Sequence, residues 1–312
     1  MGFMSFFGRR TPAALPSTDG VLAREQMLAS LLVTAWVVEA RDPYTGGHLW
    51  RVSRYAALLC EHAGIPKKEC ARISLGGFLH DLGKIGIPDA ILRKRGTLTE
   101  GEVAIVRTHP EVGARLLAVH PLAGLVRDAV MLHHETPDGG GYPGGISGHS
   151  IPMAARIVGI CDAFDAMTST RPYRAGMPIP QALEVIESRL GRQFDETIGR
   201  QFLALGADGL LDHIAGHSDD GIPLQPCAMC DAALVVRREQ VAGDSLFCRN
   251  CGGGYRLRLG RDNALLEAVP SGGQARASDL EPIPDVELIR RLVHDTASAL
   301  FADALPPTTP KG

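Results

Sequence analysis

The feature that most restricts this chain is helical periodicity from about residue 21 to 211, with histidines and aspartates placed at or near helix ends. Strand-like alternation is scarce over that run, so the region is expected to fold as one helical domain. Residues 21–40 carry Leu28, Leu31, Leu32, Ala35 and Val38 at helical spacing and read as a helix packed on the core. Further helices are expected over 49–62, 67–81, 122–134 and 153–168. Thr99 with Glu102 makes a capping-box pattern for another, and Pro110 interrupts that helix just after His109. Pro180 and Gly191 bracket a helix over 181–190, and Asp195 caps the next, through Leu205.

The remainder differs in composition. Residues 1–20 read as a tail, 21–211 as the helical domain and 212–226, rich in Gly, Asp and Pro, as a linker. Residues 227–269 hold four clustered cysteines with β-like stretches at 233–238 and 255–259. Residues 270–312 read as a linker with a low-complexity stretch at 271–277, an amphipathic helix at 286–300 and a tail. The most apolar run, 27–38, is too short to span a bilayer, and no secretory signal is evident, so a soluble cytoplasmic protein is expected. A net charge of −3 gives no general basic field for nucleic acid or anionic membrane. An anionic ligand must therefore be held by local positive groups.

Within the helical run, His80-Asp81 stands where an apolar helix meets the turn Gly83-Lys84-Ile85-Gly86. His48 follows two glycines, His109 precedes a proline, His133 and His134 precede a glycine-rich loop, and Asp162 lies on an apolar helix. A lone His-Asp pair is more often a satisfied core histidine beside an acid. Five histidines and two aspartates can instead converge inside a helical bundle as ligands of first-row transition metals. Seven protein ligands are too many for one ion and suit two that share a carboxylate. Such a pair suits phosphoester hydrolysis, and Lys84 can add positive charge near the phosphoryl group. Elsewhere, His62, His120, His149, His213, His217 and His294 are read as surface or ordinary hydrogen-bonded residues.

Four ordered motifs carry a resemblance. The first comprises Asp42-Pro43-Tyr44-Thr45-Gly46-Gly47-His48 and Arg51-Val52. The second is His80-Asp81-Leu82-Gly83-Lys84-Ile85-Gly86-Ile87-Pro88-Asp89. The third is His133-His134-Glu135 with Asp138-Gly139-Gly140-Gly141-Tyr142-Pro143, and the last runs from Asp162-Ala163-Phe164-Asp165 to Arg171-Pro172-Tyr173-Arg174. Together they resemble the HD-GYP family of cyclic di-GMP phosphodiesterases. The resemblance implies an all-α HD-type domain hydrolysing cyclic di-GMP to linear pGpG or GMP by metal-activated water. It implies His48, His80, Asp81, His109, His133, His134 and Asp162 as metal ligands, with Asp81 bridging two ions; mixed imidazole and carboxylate ligands admit iron, manganese, cobalt, nickel or zinc, of which iron or manganese is expected. Lys84, Arg171 and Arg174 match positions that contact substrate phosphates.

Asp165 is read as orienting a ligand or packing its helix. Gly141 allows close backbone approach to a ligand, and Tyr142 can stack on a guanine or meet a partner. In some relatives this loop docks diguanylate cyclase domains. Where some members carry a glutamate that supports a third metal, this chain has Tyr44, so two metals are expected. Where the family shows a basic residue and an aromatic, this chain has Thr136 and Pro137, so the loop is expected to hold substrate or partner differently. Two other readings stay open. One is a weakly active cyclic di-GMP receptor; the other is a hydrolase of a different cyclic dinucleotide or nucleotide.

Cys227 and Cys230 are separated by seventeen residues from Cys248 and Cys251. Two Cys-x-x-Cys knuckles at that spacing fit a structural zinc held by four thiolates in a small β-rich ribbon. Four thiolates leave no open position for catalysis. Arginines make this part locally basic, which reads as a solvated face rather than a nucleic-acid surface. Cys60, Cys70 and Cys161 read as small buried hydrophobes.

Overall fold

The computed structural model describes residues 17–41, 46–94, 96–170, 176–261 and 265–301. The helical part opens with α1 (Ser17–Glu39), α2 (His48–His62) and α3 (Lys67–Leu79). A 3-10 turn, Leu82–Gly86, leads to α4 (Asp89–Leu92), α5 (Glu100–Val106), α6 (His109–Leu117) and α7 (Ala123–Leu132). Then follow α8 (Met153–Thr168), α9 (Ile179–Glu187) and α10 (Glu196–Ala207). Helix starts follow local chemistry. Thr99 and Glu102 close a reciprocal capping box at α5, and the Asp195 carboxylate accepts the Ile198 N–H at α10.

Helix α2 packs on α3 and α8, and α3 packs on α7. Tyr55, Phe164 and Phe202, from α2, α8 and α10, are fully buried and meet edge to face, with centroids 5.2 Å apart for Tyr55–Phe164 and 5.1 Å for Phe164–Phe202. Such aromatic pairs add about 0.5–1.5 kcal/mol each beyond the area they bury. This packing fixes the inner faces of α2, α3 and α8.

Helix α1 buries Leu28, Leu31, Leu32, Ala35 and Val38 in the same core. One expectation changes here. The helix extends past the 27–38 run, and Gly20–Glu39 is long and apolar enough to cross a membrane by length and composition, with 28% of that window buried.

The second part is built from short antiparallel pieces. Strand β1 (His217–Asp219) pairs with β2 (Ile222–Pro223), and β3 (Gln225–Pro226) with β4 (Ala233–Leu234). Strands β5 (Ser245–Phe247), β6 (Gly253–Leu259) and β7 (Leu266–Gln274) form a three-stranded sheet in that order. Residues 212–226 were expected to be a plain linker, yet they hold three of these strands. Asp219 in that stretch is buried and paired with Arg238 and Arg291. The low-complexity run from residue 271 likewise lies partly in β7, because its backbone pairs with β6 whatever the side chains. Helix α11 (Val286–Leu300) closes the chain and packs on α1 and α3, burying Leu288, Ile289, Ala297 and Leu300. The fold is thus a helical domain, then small antiparallel sheets around four cysteines, then a helix that returns to the first domain.

Candidate metal centre

Spacing along two helices builds one side of the site. His48 and Arg51 lie three residues apart on α2, and Asp162 and Asp165 three apart on α8, so each pair shares a helical face. The faces meet. His48 Nδ1 lies 2.7 Å from Asp165 Oδ2, and His48 Nε2 lies 3.4 Å from both Asp81 Oδ2 and Asp162 Oδ1. His80 caps the C-terminal end of α3, which brings its Nε2 within 3.5 Å of Asp81 and 3.6 Å of Asp162. His109 opens α6, and His133 follows the last turn of α7. The 3-10 turn lies against His109 because residue 83 is glycine: a Cβ there would fall 1.8 Å from the His109 carbonyl oxygen.

The histidines are pre-set with Nε2 inward. His80, His109 and His133 each direct Nδ1 at a backbone carbonyl, of Gly77 (2.7 Å), Val106 (2.8 Å) and Ala129 (2.9 Å). A carbonyl only accepts, so each Nδ1 is the donor and Nε2 faces inward; in His109 and His133, which burial keeps neutral, Nε2 carries the lone pair. His109 and His133 then place two Nε2 lone pairs 3.2 Å apart. Two acceptors at that distance repel unless a cation sits between them. Metal–nitrogen bonds of about 2.1 Å place neighbouring ligand nitrogens about 3.0–3.4 Å apart, so the pair fits a shared ion. His80 Nε2 is buried with no hydrogen-bond partner among the described residues, and a metal would satisfy it. Asp81 turns a different oxygen to each group: Oδ2 to His48 and His80, and Oδ1 to His109 Nε2 at 3.5 Å. His134 completes a group with His109 and His133 whose ligand atoms lie within 4.8 Å of one another, as do those of His48, His80 and Asp162.

Electrostatics favour cation binding. Burial alone would raise the Asp81 carboxyl, but Lys84, His80 and the His48 hydrogen bond outweigh it and hold it well below the usual range. Asp162 is held low against burial by His80 and His48. Burial keeps His109, His133 and His134 neutral, with His134 pushed down to about 4. His48 goes the other way: burial lowers it, but hydrogen bonds to Asp165 and Asp81 prevail and raise it to about 9. Where the carboxylates converge, a proton on His48 supplies the positive charge that a metal ion would otherwise bring.

The remaining candidates fall into place unevenly. Lys84 Nζ lies 2.6 Å from Asp81 Oδ2. Tyr142 stacks on His134 with centroids 4.6 Å apart and receives the Arg107 guanidinium at 5.1 Å. Gly141 packs against the backbone of His134 and Glu135. Arg171, Arg174 and Tyr44 lie outside the described residues.

Two residues named in the motifs, Arg51 and Glu135, have roles that the sequence did not disclose. Arg51 is 1% exposed and grips Asp165, the Ser169 hydroxyl and the carbonyls of Gly46 and His217. Its position three after His48 was the available signal. Glu135 folds the glycine loop by accepting the N–H groups of Gly144 and Ile146. A cleft with an empty volume of about 920 Å³ opens from His134 and Asp162, with Arg156 and Arg189 on its wall.

In the second part, Cys227 Sγ lies 3.6 Å from Cys251 Sγ, and Cys230 Sγ 3.6 Å from Cys248 Sγ. Four thiolates at about 2.3 Å from one tetrahedral ion would be about 3.8 Å apart, close to this spacing. The knuckles match: Cys227 N–H binds the Ala232 carbonyl and Cys248 N–H the Gly253 carbonyl, both at 2.9 Å. Tyr255 donates its hydroxyl to Cys227 Sγ at 3.0 Å.

Comparison with known proteins agrees with this geometry. A family model described as HD domain matches residues 33–198, more than half of the chain. The chain is 40% identical over 183 residues to the cyclic di-GMP phosphodiesterase response regulator RpfG of Xanthomonas campestris, covering 58% of this chain and 48% of that protein. It is 38% identical over 184 residues to 3'3'-cGAMP-specific phosphodiesterase 3 of Vibrio cholerae (58% of this chain, 40% of that protein). It is 38% identical over 169 residues to a cyclic di-GMP phosphodiesterase of Thermotoga maritima (54% and 46%). In each case the match spans less than half of the relative's length. With the helical fold, the convergent histidines and aspartates and the matching family model together, the chain belongs to the HD domain family.

Proposed function

We propose that this chain hydrolyses cyclic di-GMP to linear pGpG or GMP at a centre of two divalent transition-metal ions, iron or manganese. The observation that supports this most is the inward pair of Nε2 lone pairs on His109 and His133, 3.2 Å apart and beside two ionised carboxylates. The relatives named above, similar over this same region, support the substrate class. When bound, such ions lower the pKa of water and neutralise charge on a phosphodiester.

In this reading, His48, His80 and Asp162 hold one ion, and His109, His133 and His134 the other. Asp81, which turns one oxygen toward each group, would be the carboxylate shared between the ions. Asp165 fixes the His48 ring, and Arg51 keeps Asp165 ionised. Lys84, already on Asp81, turns its ammonium to the phosphoryl oxygens. Arg171 and Arg174 bind the phosphates. The cleft beside His134 receives one nucleotide, with Tyr142 at its border, and the 139–143 loop is the surface we assign to a diguanylate cyclase partner. One structural zinc occupies the four-cysteine site. We further propose a reducing compartment, the cytoplasm, a reading supported by cysteines that are free or gathered in a metal-type cluster.

A second reading takes 3'3'-cGAMP as substrate, favoured by the relative that carries that name. Incubating metal-loaded protein with cyclic di-GMP, 3'3'-cGAMP and cyclic di-AMP, and resolving products by chromatography, decides between them. Tight binding of cyclic di-GMP without product after anaerobic loading with iron or manganese would replace both with a receptor.

A further inference from the structure

A second recess, with an empty volume of about 1140 Å³ including its mouth, lies between the helical domain and the four-cysteine module. Its walls hold the chain's only two tryptophans, Trp36 and Trp50, together with Phe78 and Phe247. Trp50 and Phe78 are buried and form the floor, whereas Trp36 and Phe247 are partly exposed and offer ring surface. Two cations, Arg237 and Arg249, share this wall.

Arg249 is the informative one. It sits between Cys248 and Cys251, lies over the Trp36 ring at 5.8 Å, and donates to the Ala40 carbonyl at 3.3 Å. Among the described residues it has no carboxylate within ion-pair distance, whereas Arg237 is paired with Glu239. Four carboxylates also line the recess; Glu281 is exposed to solvent, and the other three accept backbone N–H groups. Asp285 caps α11, Asp279 accepts the Arg276 N–H, and Glu39 accepts the Leu49 N–H. Burial and the charge of Arg237 both disfavour the Arg249 cation, and the Glu39 carboxylate offsets them only in part. An anion at this point would relieve both effects, and charge-assisted bonds to guanidinium are the stronger kind. The partly exposed rings accept a planar partner by stacking.

We propose that this recess binds a nucleoside monophosphate, its base against Trp36 and Phe247 and its phosphate on Arg249. The same wall includes Gly46 and Gly47, the turn that leads into His48. An occupant therefore touches the segment that positions the first histidine of the metal centre. The site stands apart from the phosphodiesterase reading and can hold or fail without it.

Intrinsic tryptophan emission reports on it directly, since both indoles line the recess. Titration of the full chain with GMP or AMP is expected to give a saturable change in emission. Guanosine, or inorganic phosphate alone, should bind at least tenfold more weakly. Asp81→Ala, which disables the metal centre, should keep the response. Arg249→Gln should weaken it tenfold or more, as should Phe247→Ala, which changes no cysteine; circular dichroism and zinc content certify that each variant is folded. A flat titration to millimolar nucleotide overturns the proposal. So does a response lost in Asp81→Ala, which places the nucleotide at the metal centre, or one unchanged in both recess variants.

Discussion

His48 donates its Nδ1 proton to Asp165 Oδ2 across 2.7 Å, and Arg51 clamps the same carboxylate from α2. Neither Asp165 nor Arg51 need touch a metal, yet together they decide which nitrogen of His48 faces Asp81 and Asp162.

Asp165→Asn tests that arrangement. The amide keeps the shape but leaves the buried Arg51 without its counter-charge, a defect that costs about 3–5 kcal/mol. Loss of a carboxylate that orients a ligand histidine typically weakens metal affinity about 10- to 100-fold. Denaturant midpoints and metal content after dialysis should both fall. A variant with wild-type stability would contradict the role assigned to Arg51.

Metal uptake should be coupled to proton release. In metal-free protein His48 is raised to about 9, so it is charged at pH 7 and must lose a proton to become a ligand. His109, His133 and His134 are already neutral there. Apparent affinity should therefore rise with pH from 7 to about 9 and then level off. The stability that this raised pKa gives the metal-free fold is complete below about 6.5 and lost as pH climbs through 9. Calorimetric titration in buffers of different ionisation enthalpy should show about one proton released from His48 at pH 7. No release would show that the ring is neutral before metal arrives.

Gly83→Ala probes the approach of the 3-10 turn to α6. Its Cβ would fall 1.8 Å from the His109 carbonyl oxygen, and backbone on both sides leaves little freedom to yield. Overpacking of this kind costs about 1–3 kcal/mol or more. His109 should shift away from His133, lowering metal content. Normal metal content at normal stability would show that the two segments separate freely.

The four-cysteine module should matter to the metal centre. Sequence alone suggests independent units, so that Cys227→Ser would unfold the module and spare the helical metals. The contacts point elsewhere. Gly47, at φ +72°, lies so close to β1 that a Cβ would fall 2.6 Å from Ser218 Cα, and Arg51 ties Gly46 to His217. Cys227→Ser is thus expected to lose its zinc and to lower metal occupancy at His48 as well. Elemental analysis of the purified variant would separate the two views.

Much of this was legible in the chain because local chemistry set it. Helix starts at Thr99 and Asp195 follow capping rules that act within four residues. The inward histidines were recognisable because they occur in ordered motifs beside glycine and proline, which mark the helix ends. Three features were not legible. The clamp by Arg51 depends on carbonyls from His217, 166 residues away. The strands within 212–226 are only two or three residues long and owe their form to tertiary partners, so their composition resembled a linker. The return of α11 onto α1 and α3 could be read as amphipathicity, but the helix carries no mark of which surface it covers.

The claim that carries the rest is that Asp81 joins two ions which hydrolyse a cyclic dinucleotide. Metal content and turnover of cyclic di-GMP, measured side by side on anaerobically loaded wild type and Asp81→Ala, test it most directly. The account predicts about two equivalents of transition metal beyond the zinc in the wild type, with linear product formed. The variant should retain its helical spectrum, lose at least one of those metals and lose turnover by about a thousandfold or more. A folded Asp81→Ala protein with full metal and undiminished product would contradict it.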